Sequence, residues 1–247
     1  MHPLQNGRPV GRVVGLWRYP VKSMGAEALT EVDASWHGLA GDRRWAFIRT
    51  EVLQSRTIRS GFPWLTLRDR GDLNHFVPSF LKPDFPDKSP TVVRTPSGDV
   101  FDVADPALGA TLSPGGVQVI KQNRGIFDTF PLSLITTQTI RGLGETTGFQ
   151  LDVQRFRPNI LVEASDDAPF VEDGWVGHVL RLGGLRLRVD KRDGRCVVIT
   201  IDPVTSERQP AILRTVAQDR QGQLGVYGST VEPGRVALDD PVFLESA

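Results

Sequence analysis

The sequence predicts a mainly β, β-barrel-like fold with a few short helices, divided into two β-rich halves. Three observations support this prediction. The chain has 247 residues, 39% of them hydrophobic and 23% charged, as expected for a globular protein of one large or two ordinary domains. Its 25 glycines and 18 prolines are spread along the chain and leave little room for long helices. Short β-branched runs between these turn residues are typical of strands.

In the first half, strand signals follow one another closely. Residues 11–19 form an apolar run that ends at Pro20, and residues 27–34 alternate between apolar and polar side chains. The polar, proline-rich residues 69–90 predict an irregular connection. The predicted strands, of which the last two form a hairpin, are residues 11–19, 27–34, 45–49, 64–67, 91–94 and 100–103.

The second half combines further strands with the best helix signal of the chain. Residues 132–143 are predicted to be helical because Leu132, Ile135, Ile140 and Leu143 lie roughly on one face. Residues 211–217 predict a second short helix. We place a domain boundary near residue 130, which gives two domains, residues 1–130 and 131–247. The remaining predicted strands are residues 116–121, 159–163, 180–189, 196–201, 225–231 and 235–238.

Charge and hydropathy limit the function classes. Acidic and basic residues balance at 29 each, so nothing in the net charge points to nucleic acid or to a membrane surface. No apolar run approaches the roughly 20 residues that span a bilayer. Residues 1–9 contain no apolar signal-peptide core, and the chain has a single cysteine. We therefore expect a cytoplasmic protein with no nucleic-acid or membrane partner.

That single cysteine, Cys196, follows a basic turn that contains Lys191, Arg192 and Arg195. One cysteine makes no internal disulfide and does not build a structural zinc site alone. Nearby cations would lower the pKa of the thiol, and the thiolate is both the nucleophile and the metal ligand. The alternative is a small buried apolar residue. The surrounding basic residues favour a reactive thiolate or a ligand to a bound group.

Basic and hydroxyl side chains also stand beside turns at residues 19–23, 41–45 and 155–160. Lysine supplies a point charge, arginine a planar two-pronged donor, and serine or threonine a hydroxyl, and together these groups suit a phosphate. Taken singly, each of these residues is more often a solvated surface side chain. The three segments carry information only when they are considered as one pattern.

The order and spacing of these motifs resemble the MOSC proteins, a family named for the C-terminal domain of molybdenum cofactor sulfurases. Residues 19–23 and 41–45 resemble the N-terminal β-barrel domain that accompanies many MOSC domains. Within the family, the chain is most similar to the mitochondrial amidoxime-reducing component and its bacterial relatives. The second half carries the further matching motifs at residues 155–160, 195–203, 225–227, 234–236 and 240–242.

The resemblance implies a molybdenum–molybdopterin cofactor in a cleft between the two halves. Cys196 would ligate molybdenum and, with Asp202, would be catalytic; Asp202 reads equally well as a turn residue before Pro203. Thr136 and Thr137 would supply hydroxyls at the phosphate end. The other implied cofactor-binding residues are Lys22, Ser23, Arg43, Arg157, Asn159, Arg195 and Tyr227. The turn 193–195 lacks the serine that we associate with these relatives.

The implied activity is molybdenum-dependent reduction of a small N-hydroxylated substrate. The lone cysteine leaves no ligand set for an iron–sulfur cluster in this chain, so electrons would come from a separate donor protein. Pyridoxal phosphate is not expected. Two alternatives stay open: a sulfur-carrier or cofactor-handling protein with a persulfide on Cys196, and a non-catalytic binding protein that retains the fold.

Overall fold

The computed structural model describes residues 7–54 and 63–245. The prediction of a cytoplasmic location drew on residues 1–9, and residues 1–6 of that segment lie outside the described residues. No helix in the described part is long and apolar enough to cross a membrane.

The helices are α1 (Thr50–Gln54), α2 (Pro106–Leu112), α3 (Thr137–Thr147) and α4 (Pro210–Arg220). The strands are β1 (Gly7–Arg18), β2 (Glu27–Ala28), β3 (Glu31–Ser35), β4 (Gly38–Leu39), β5 (Trp45–Arg49), β6 (Val77–Phe80), β7 (Thr91–Arg94), β8 (Val100–Asp102), β9 (Val117–Lys121), β10 (Leu132–Thr136), β11 (Ile160–Ala164), β12 (Val179–Leu182), β13 (Leu185–Gly194), β14 (Gln223–Glu232), β15 (Gly234–Ala237) and β16 (Pro241–Glu245). This mainly β content confirms the predicted fold class.

The chain divides into two compact units that are not contiguous in sequence. The barrel unit comprises residues 1–17, 28–40 and 129–247, and the insert unit comprises residues 18–27 and 41–128. The boundary predicted near residue 130 falls beside the start of the last barrel segment. The difference from the prediction is that residues 1–17 and 28–40, assigned from sequence to the first domain, belong to the barrel unit.

A closed barrel of seven strands forms the centre of the barrel unit. Its order is β11-β10-β14-β13-β12-β16-β1, and β1 pairs with β11 to close the ring. The pairing of β10 with β11 is parallel, with Leu134 opposite Ile160. The pairings of β1 with β11 and with β16 are antiparallel. Strand β13 pairs with β14 in a register interrupted by bulges, which lets both long strands bend around the barrel.

Two apolar clusters hold the barrel unit together. The first fills the barrel and includes Val13, Leu134, Val162 and Leu187, each almost without exposed surface. The second lies beside α3 and α4 and includes Phe156, Ile199, Ile212 and Val216. Its buried residues come from five stretches of the sequence, and the turn after Cys196 is one of them.

The structure corrects four secondary-structure predictions in the chain segments around this unit. Each of the predicted strands 27–34 and 180–189 is two strands separated by a short break, β2 and β3 in the first case and the antiparallel pair β12 and β13 in the second. Residues 132–136 form the strand β10 rather than the start of a helix, because all five side chains are buried between barrel neighbours. The helix begins at Thr137, where the hydroxyl of Thr136 accepts from the N–H of Thr139 as an N-cap. Residues 196–201 are not a strand: Val197–Thr200 form a short 3-10 helix, whose Ile199 and Thr200 are buried. The helix predicted at residues 211–217 is confirmed within α4.

The insert unit contains two small antiparallel sheets. Strand β5 pairs with β9, and β6, β7 and β8 form a meander that includes the predicted hairpin. The segment 69–90 is irregular as predicted, apart from β6 and two short 3-10 turns. Residues 64–67, predicted as a strand, contribute only an isolated bridge between Trp64 and Ile48.

Candidate functional site

Cys196 stands at the junction between a long strand and a short helix in the barrel unit. Strand β13 ends at Gly194, and Cys196 is the N-cap residue of the 3-10 helix Val197–Thr200. The residue is partly exposed and forms no disulfide. Its carbonyl accepts from the N–H of Ile199 at 3.2 Å, so the turn closes directly on the cysteine. Cys196 is therefore not a member of either apolar cluster described above, and its backbone position is defined.

Arg195, the residue before the cysteine, is an anchor for the surrounding backbone. Its Nε donates to the carbonyl of Leu224 at 2.7 Å, and its Nη1 donates to the carbonyl of Phe156 at 2.9 Å. Nη1 also lies 2.9 Å from the carboxylate of Asp193, which is almost fully buried. The guanidinium is thus engaged by three protein groups, and its predicted contact with a cofactor stays a prediction.

Arg155 supports the other side of the cysteine turn. Its side chain has no exposed surface and its Nη1 donates to the carbonyl of Ile199 at 3.3 Å. Its Nη2 donates to Asp202 at 2.8 Å and to Gln209 at 2.9 Å. Burial lowers the pKa of Arg155, against the opposing effect of Asp202. Sequence reasoning missed this residue, because an arginine two positions before Arg157 reads as an ordinary surface cation.

Asp202 is built into the loop that follows the cysteine turn. Its Oδ1 accepts from the backbone N–H groups of Val204 and Thr205 at 2.9 and 3.0 Å. These hydrogen bonds, with Thr205 contributing most, and the charge of Arg155 hold the pKa of Asp202 below its ordinary value. The carboxylate therefore has the geometry of the turn residue considered from sequence, and its predicted catalytic role stays a prediction.

Arg157 and Asn159 lie on the segment that enters β11. Arg157 has a left-handed backbone with φ of 52°. The side-chain amide of Asn159 donates to the carbonyl of Trp17 at 3.1 Å, and its Oδ1 accepts from the N–H of Ser133 at 3.2 Å. Asn159 therefore connects the start of β11 to β10 and β1, and it fixes the path of the chain at Arg157.

Tyr227 lies on β14 opposite Ser133 of β10 and Lys191 of β13. Its ring stacks on Phe130, with centroids 6.0 Å apart and planes inclined by 28°. The ammonium of Lys191 lies 5.4 Å from the Phe130 ring. The predicted cofactor residue Tyr227 is thus part of a small aromatic and cationic group. Phe130 was not predicted to belong to it, and Lys191 was predicted only as a cation of the turn before Cys196.

Thr136 and Thr137 mark the point where β10 becomes α3. The Thr136 hydroxyl donates to Oε2 of Glu172 at 2.9 Å, and Thr139 donates to the same oxygen at 2.8 Å. Burial raises the pKa of Glu172, while the hydrogen bonds it accepts act in the opposite direction. Thr137 is partly buried, and its hydroxyl donates to Gln138 at 2.9 Å. Both threonines are therefore engaged within the barrel unit.

Lys22 and Ser23 lie on one segment of the insert unit and Arg43 on another. Backbone hydrogen bonds join the two segments, from Arg43 to Tyr19 at 2.7 Å and from Lys22 to Trp45 at 2.8 Å. The ammonium of Lys22 is only 6% exposed, donates to the carbonyl of Ile126 at 3.1 Å and pairs with Asp128. Arg43 pairs with the fully buried Asp42, and its guanidinium lies 4.7 Å above the Tyr19 ring. Buried Lys22 and partly buried Arg43 are thus each held in place by a carboxylate, and their predicted contacts with a cofactor stay a prediction.

Backbone strain coincides with the predicted residues. Among residues 7–54 and 63–245, seven non-glycine residues have positive φ, and three of them are Ser23, Arg43 and Arg157. Left-handed conformations cost a non-glycine residue about 1–3 kcal/mol and concentrate at functional sites. These three are cofactor holders that the family resemblance implies, whereas the other four strained residues are not.

The donor set fits an anionic cofactor that brings its own metal ligands. Within the described part of the chain, no group of three histidine, cysteine, aspartate or glutamate side chains could hold a metal ion. A metal at Cys196 would therefore depend on ligands from a bound organic group. Cations, an amide and the thiol of a partly exposed cysteine are types of side chain that suit a sulfur-rich, phosphate-bearing cofactor.

Comparison with known sequences identifies two matching domains. The MOSC domain matches residues 121–243, and the MOSC N-terminal beta barrel domain matches residues 10–76. The chain is 22% identical over 285 residues to the mitochondrial amidoxime-reducing component 1 of Homo sapiens, covering 95% of this chain and 83% of that protein. It is 24% identical over 248 residues to a molybdenum cofactor sulfurase of Caenorhabditis briggsae, covering 90% of this chain and 34% of that protein.

The chain thus spans about a third of the length of that sulfurase. Among solved structures, the YUAD protein from Bacillus subtilis has the same fold, with a TM-score of 0.53 and 13% identity, covering 96% of this chain and 97% of that chain. The two domain matches together extend from β1 to β16. The chain is a member of the MOSC family, with a MOSC N-terminal beta barrel domain followed by a MOSC domain.

Proposed function

We propose that the protein binds a molybdenum cofactor and reduces N-hydroxylated compounds, with Cys196 as the protein ligand to molybdenum. One observation carries the proposal. The only cysteine of the chain is partly exposed, and hydrogen bonds from two arginines join its turn to the segment that carries Arg157 and Asn159. A merely structural cysteine would be expected in the apolar core instead.

The chemistry of the thiol agrees with this role. A thiolate is a soft ligand that suits a high-valent metal already held by sulfur. When bound, the cofactor supplies the redox centre that takes the oxygen atom of the substrate. The overall reaction cleaves the N–O bond, consumes an electron pair and a pair of protons, and releases the oxygen as water. This chain contributes the ligand, the cationic holders and an orientation for the substrate.

The proposed holders lie in both units. In the insert unit they are Lys22, Ser23 and Arg43, and two of these have left-handed backbones. In the barrel unit, the holders that the proposal assigns are Thr136, Thr137, Arg157, Asn159, Arg195 and Tyr227. A separate electron-donor protein and a small N-hydroxylated substrate complete the proposal. The similarity to the amidoxime-reducing component, which extends over 95% of the chain, supports this activity.

A sulfur-carrier or cofactor-handling role is the second candidate. The observation that favours it is the match of 90% of the chain to a protein named molybdenum cofactor sulfurase. In this case Cys196 would carry a persulfide, and the same accessible thiolate would be required. The two candidates differ in whether metal or sulfane sulfur accompanies the protein.

The deciding experiment measures molybdenum, pterin and sulfane sulfur in protein purified from a host that makes the cofactor. Molybdenum near one equivalent, together with reduction of an N-hydroxy compound by an artificial electron donor, supports the proposal. Sulfane sulfur without molybdenum supports the second candidate. Neither, from a competent host, contradicts both and leaves a non-catalytic binding protein.

Variants of the cysteine turn sharpen the result. Cys196→Ser should abolish the activity and leave the circular dichroism spectrum unchanged, because serine is nearly isosteric but a poor ligand for a soft metal. The matched control is Val197→Ala, which changes the exposed neighbour and keeps the thiol. Full activity in Cys196→Ser would remove metal ligation by Cys196 from consideration.

A further inference from the structure

Two arginines join the cysteine turn to the segment around Phe156 by hydrogen bonds, one donated from each segment to the other. Arg195 leaves the turn and reaches the carbonyl of Phe156 at 2.9 Å. Arg155, the residue before Phe156, reaches back to the carbonyl of Ile199 at 3.3 Å. Segments that lie about forty residues apart in sequence are therefore joined twice, and Cys196 lies between the two attachment points.

The contact of Arg155 with the turn acts close to the thiol in the hydrogen-bond network. Ile199 accepts from Arg155 through its carbonyl and donates through its N–H to the carbonyl of Cys196 at 3.2 Å. The two bonds share one residue, so they connect the Arg155 side chain to the backbone of Cys196 through Ile199. The Ile199 side chain is buried with Phe156 in one apolar cluster, which limits other movements of the turn.

Asp202 and Gln209 in turn fix the guanidinium of Arg155. Both accept from Nη2, at 2.8 and 2.9 Å. The backbone of the same loop is closed by bonds from Gln209 to Thr200 at 2.7 Å and from Asp202 to Glu207 at 2.8 Å. A fully buried arginine with this many directed partners is pre-organised rather than adaptable.

We propose that Arg155 is a positioning residue for Cys196: it holds the 3-10 turn closed and thereby sets the accessibility and orientation of the thiol, with Asp202 acting through it. Asp202 then contributes without touching substrate or cofactor. The consequence of this positioning for metal binding rests on the proposed function. The brace, meaning the hydrogen bonds from Arg155 to Ile199, Asp202 and Gln209, involves only residues of the barrel unit. Its effect can be measured as the reactivity of the thiol.

The test exploits the presence of a single thiol. The rate of alkylation of Cys196 by iodoacetamide is measured as a function of pH in the purified full chain, with circular dichroism as the check on folding. In Arg155→Met the alkylation rate should rise roughly fivefold. The reason is that losing one hydrogen bond of ordinary strength shifts the equilibrium between the closed and the open turn by about that factor. Arg155→Lys should recover part of the difference, because lysine lacks the fork that reaches Ile199 and Asp202 together.

Two further variants separate positioning from general destabilisation. Asp202→Asn keeps an acceptor for Val204 and Thr205 but loses the charge opposite Arg155, so its alkylation rate should lie between those of wild type and Arg155→Met. The control is Arg70→Met in the insert unit, which also loses bonds to a carboxylate and to two carbonyls. Its alkylation rate should equal that of wild type.

Unchanged alkylation in folded Arg155→Met would overturn the inference, as would an equal rise in Arg70→Met. If Arg155→Met does not fold, an unchanged rate in Asp202→Asn is the overturning result. Molybdenum content of the same samples keeps the two proposals apart. Altered thiol reactivity in a protein that binds no molybdenum would support the brace and contradict the proposed function, and the reverse combination would do the opposite.

Discussion

The hydroxyl of Thr136 donates a 2.9 Å hydrogen bond to Oε2 of Glu172, a carboxylate with no exposed surface. Thr139 donates to the same oxygen from the first turn of α3. Within residues 7–54 and 63–245, no cation pairs with Glu172. The hydroxyl that was predicted to lie near a phosphate is therefore engaged by a buried acid.

This relationship predicts a pH dependence of stability. Burial raises the pKa of Glu172 above its ordinary value of 4.5, so the folded protein retains a proton that the unfolded chain has already released. The stabilisation is complete below that value and is lost as pH rises through the folded pKa. Glu172→Gln should flatten this part of the profile, because the amide keeps an acceptor for both hydroxyls and does not ionise.

The measurement is chemical denaturation of both proteins from acid to neutral pH. At neutral pH, Glu172→Gln should be at least as stable as wild type. Glu172→Ala should lose about 1–3 kcal/mol, because two buried hydroxyls are left without their acceptor. Parallel pH profiles for wild type and Glu172→Gln would show that Glu172 does not titrate differently in the two states.

The left-handed backbone at Ser23 predicts a gain in stability at the expense of cofactor binding. Ser23 has φ of 67°, and Ser23→Gly should stabilise the fold by roughly 0.5–1 kcal/mol, the relieved strain less the greater entropy of the unfolded glycine. Pterin content should fall because the hydroxyl is lost. The control is Gln221→Gly at the C-cap of α4, where φ is 57°, which should stabilise similarly and leave pterin content unchanged. Wild-type pterin content in Ser23→Gly would argue against a role for its hydroxyl.

Arg43 tests the cationic part of the insert unit. Arg43→Ala should reduce the retained pterin strongly, since charge-assisted hydrogen bonds contribute about 1.5–3 kcal/mol each. Arg43→Lys should recover only part of it, because lysine has no fork. Pterin is measured by fluorescence after oxidation, and the melting temperature reports the loss of the contact with buried Asp42. Arg49→Ala, which breaks a pair with Asp69 in the same unit, is the control. Equal pterin in Arg43→Ala and Arg49→Ala would make Arg43 a structural residue.

Electron supply gives a fourth prediction: the chain alone should not oxidise NADH. The glycine pairs nearest to a dinucleotide fingerprint lie in unsuitable elements, since Gly142 and Gly144 are inside α3 and Gly183 and Gly184 form the tight turn between β12 and β13. Reduced viologen, or a separate reductase with an electron carrier, should restore turnover of an N-hydroxy substrate. NADH consumption coupled to product formation by the pure single chain would reveal a dinucleotide site that these elements do not suggest.

Much of the strand content could be predicted from sequence. The strand Trp45–Arg49 coincides with its prediction, because a short apolar run between turn residues has few other solutions. Residues 132–136 were assigned to a helix because a short apolar run satisfies both periodicities, and burial on both faces decided for a strand. The run Val197–Thr200 has strand propensity, yet bonds from Arg155 and burial of Ile199 hold it in a 3-10 helix.

The residue types of the candidate site could be predicted from the sequence. The backbone conformations and the buried hydrogen bonds that hold those residues in place could not. Cations, hydroxyls and a thiol are visible in the sequence, and only the family resemblance implies that they belong to one site. Left-handed backbones at Ser23, Arg43 and Arg157 carry no sequence signal, since none of the three is the glycine that such a conformation favours. The brace at Arg155 was invisible for a different reason: its partner Ile199 is 44 residues away.

The closure of the barrel by β1 has a consequence for dissecting the protein. Strand β1 is hydrogen-bonded to both β11 and β16, whereas the other six barrel strands all follow residue 129. A fragment that starts at residue 129, chosen to isolate the second domain, would keep six of the seven barrel strands and expose two apolar edges. Unpaired edges of this kind template aggregation. Residues 7–17 supplied in trans as a peptide would complete the ring by donor-strand complementation.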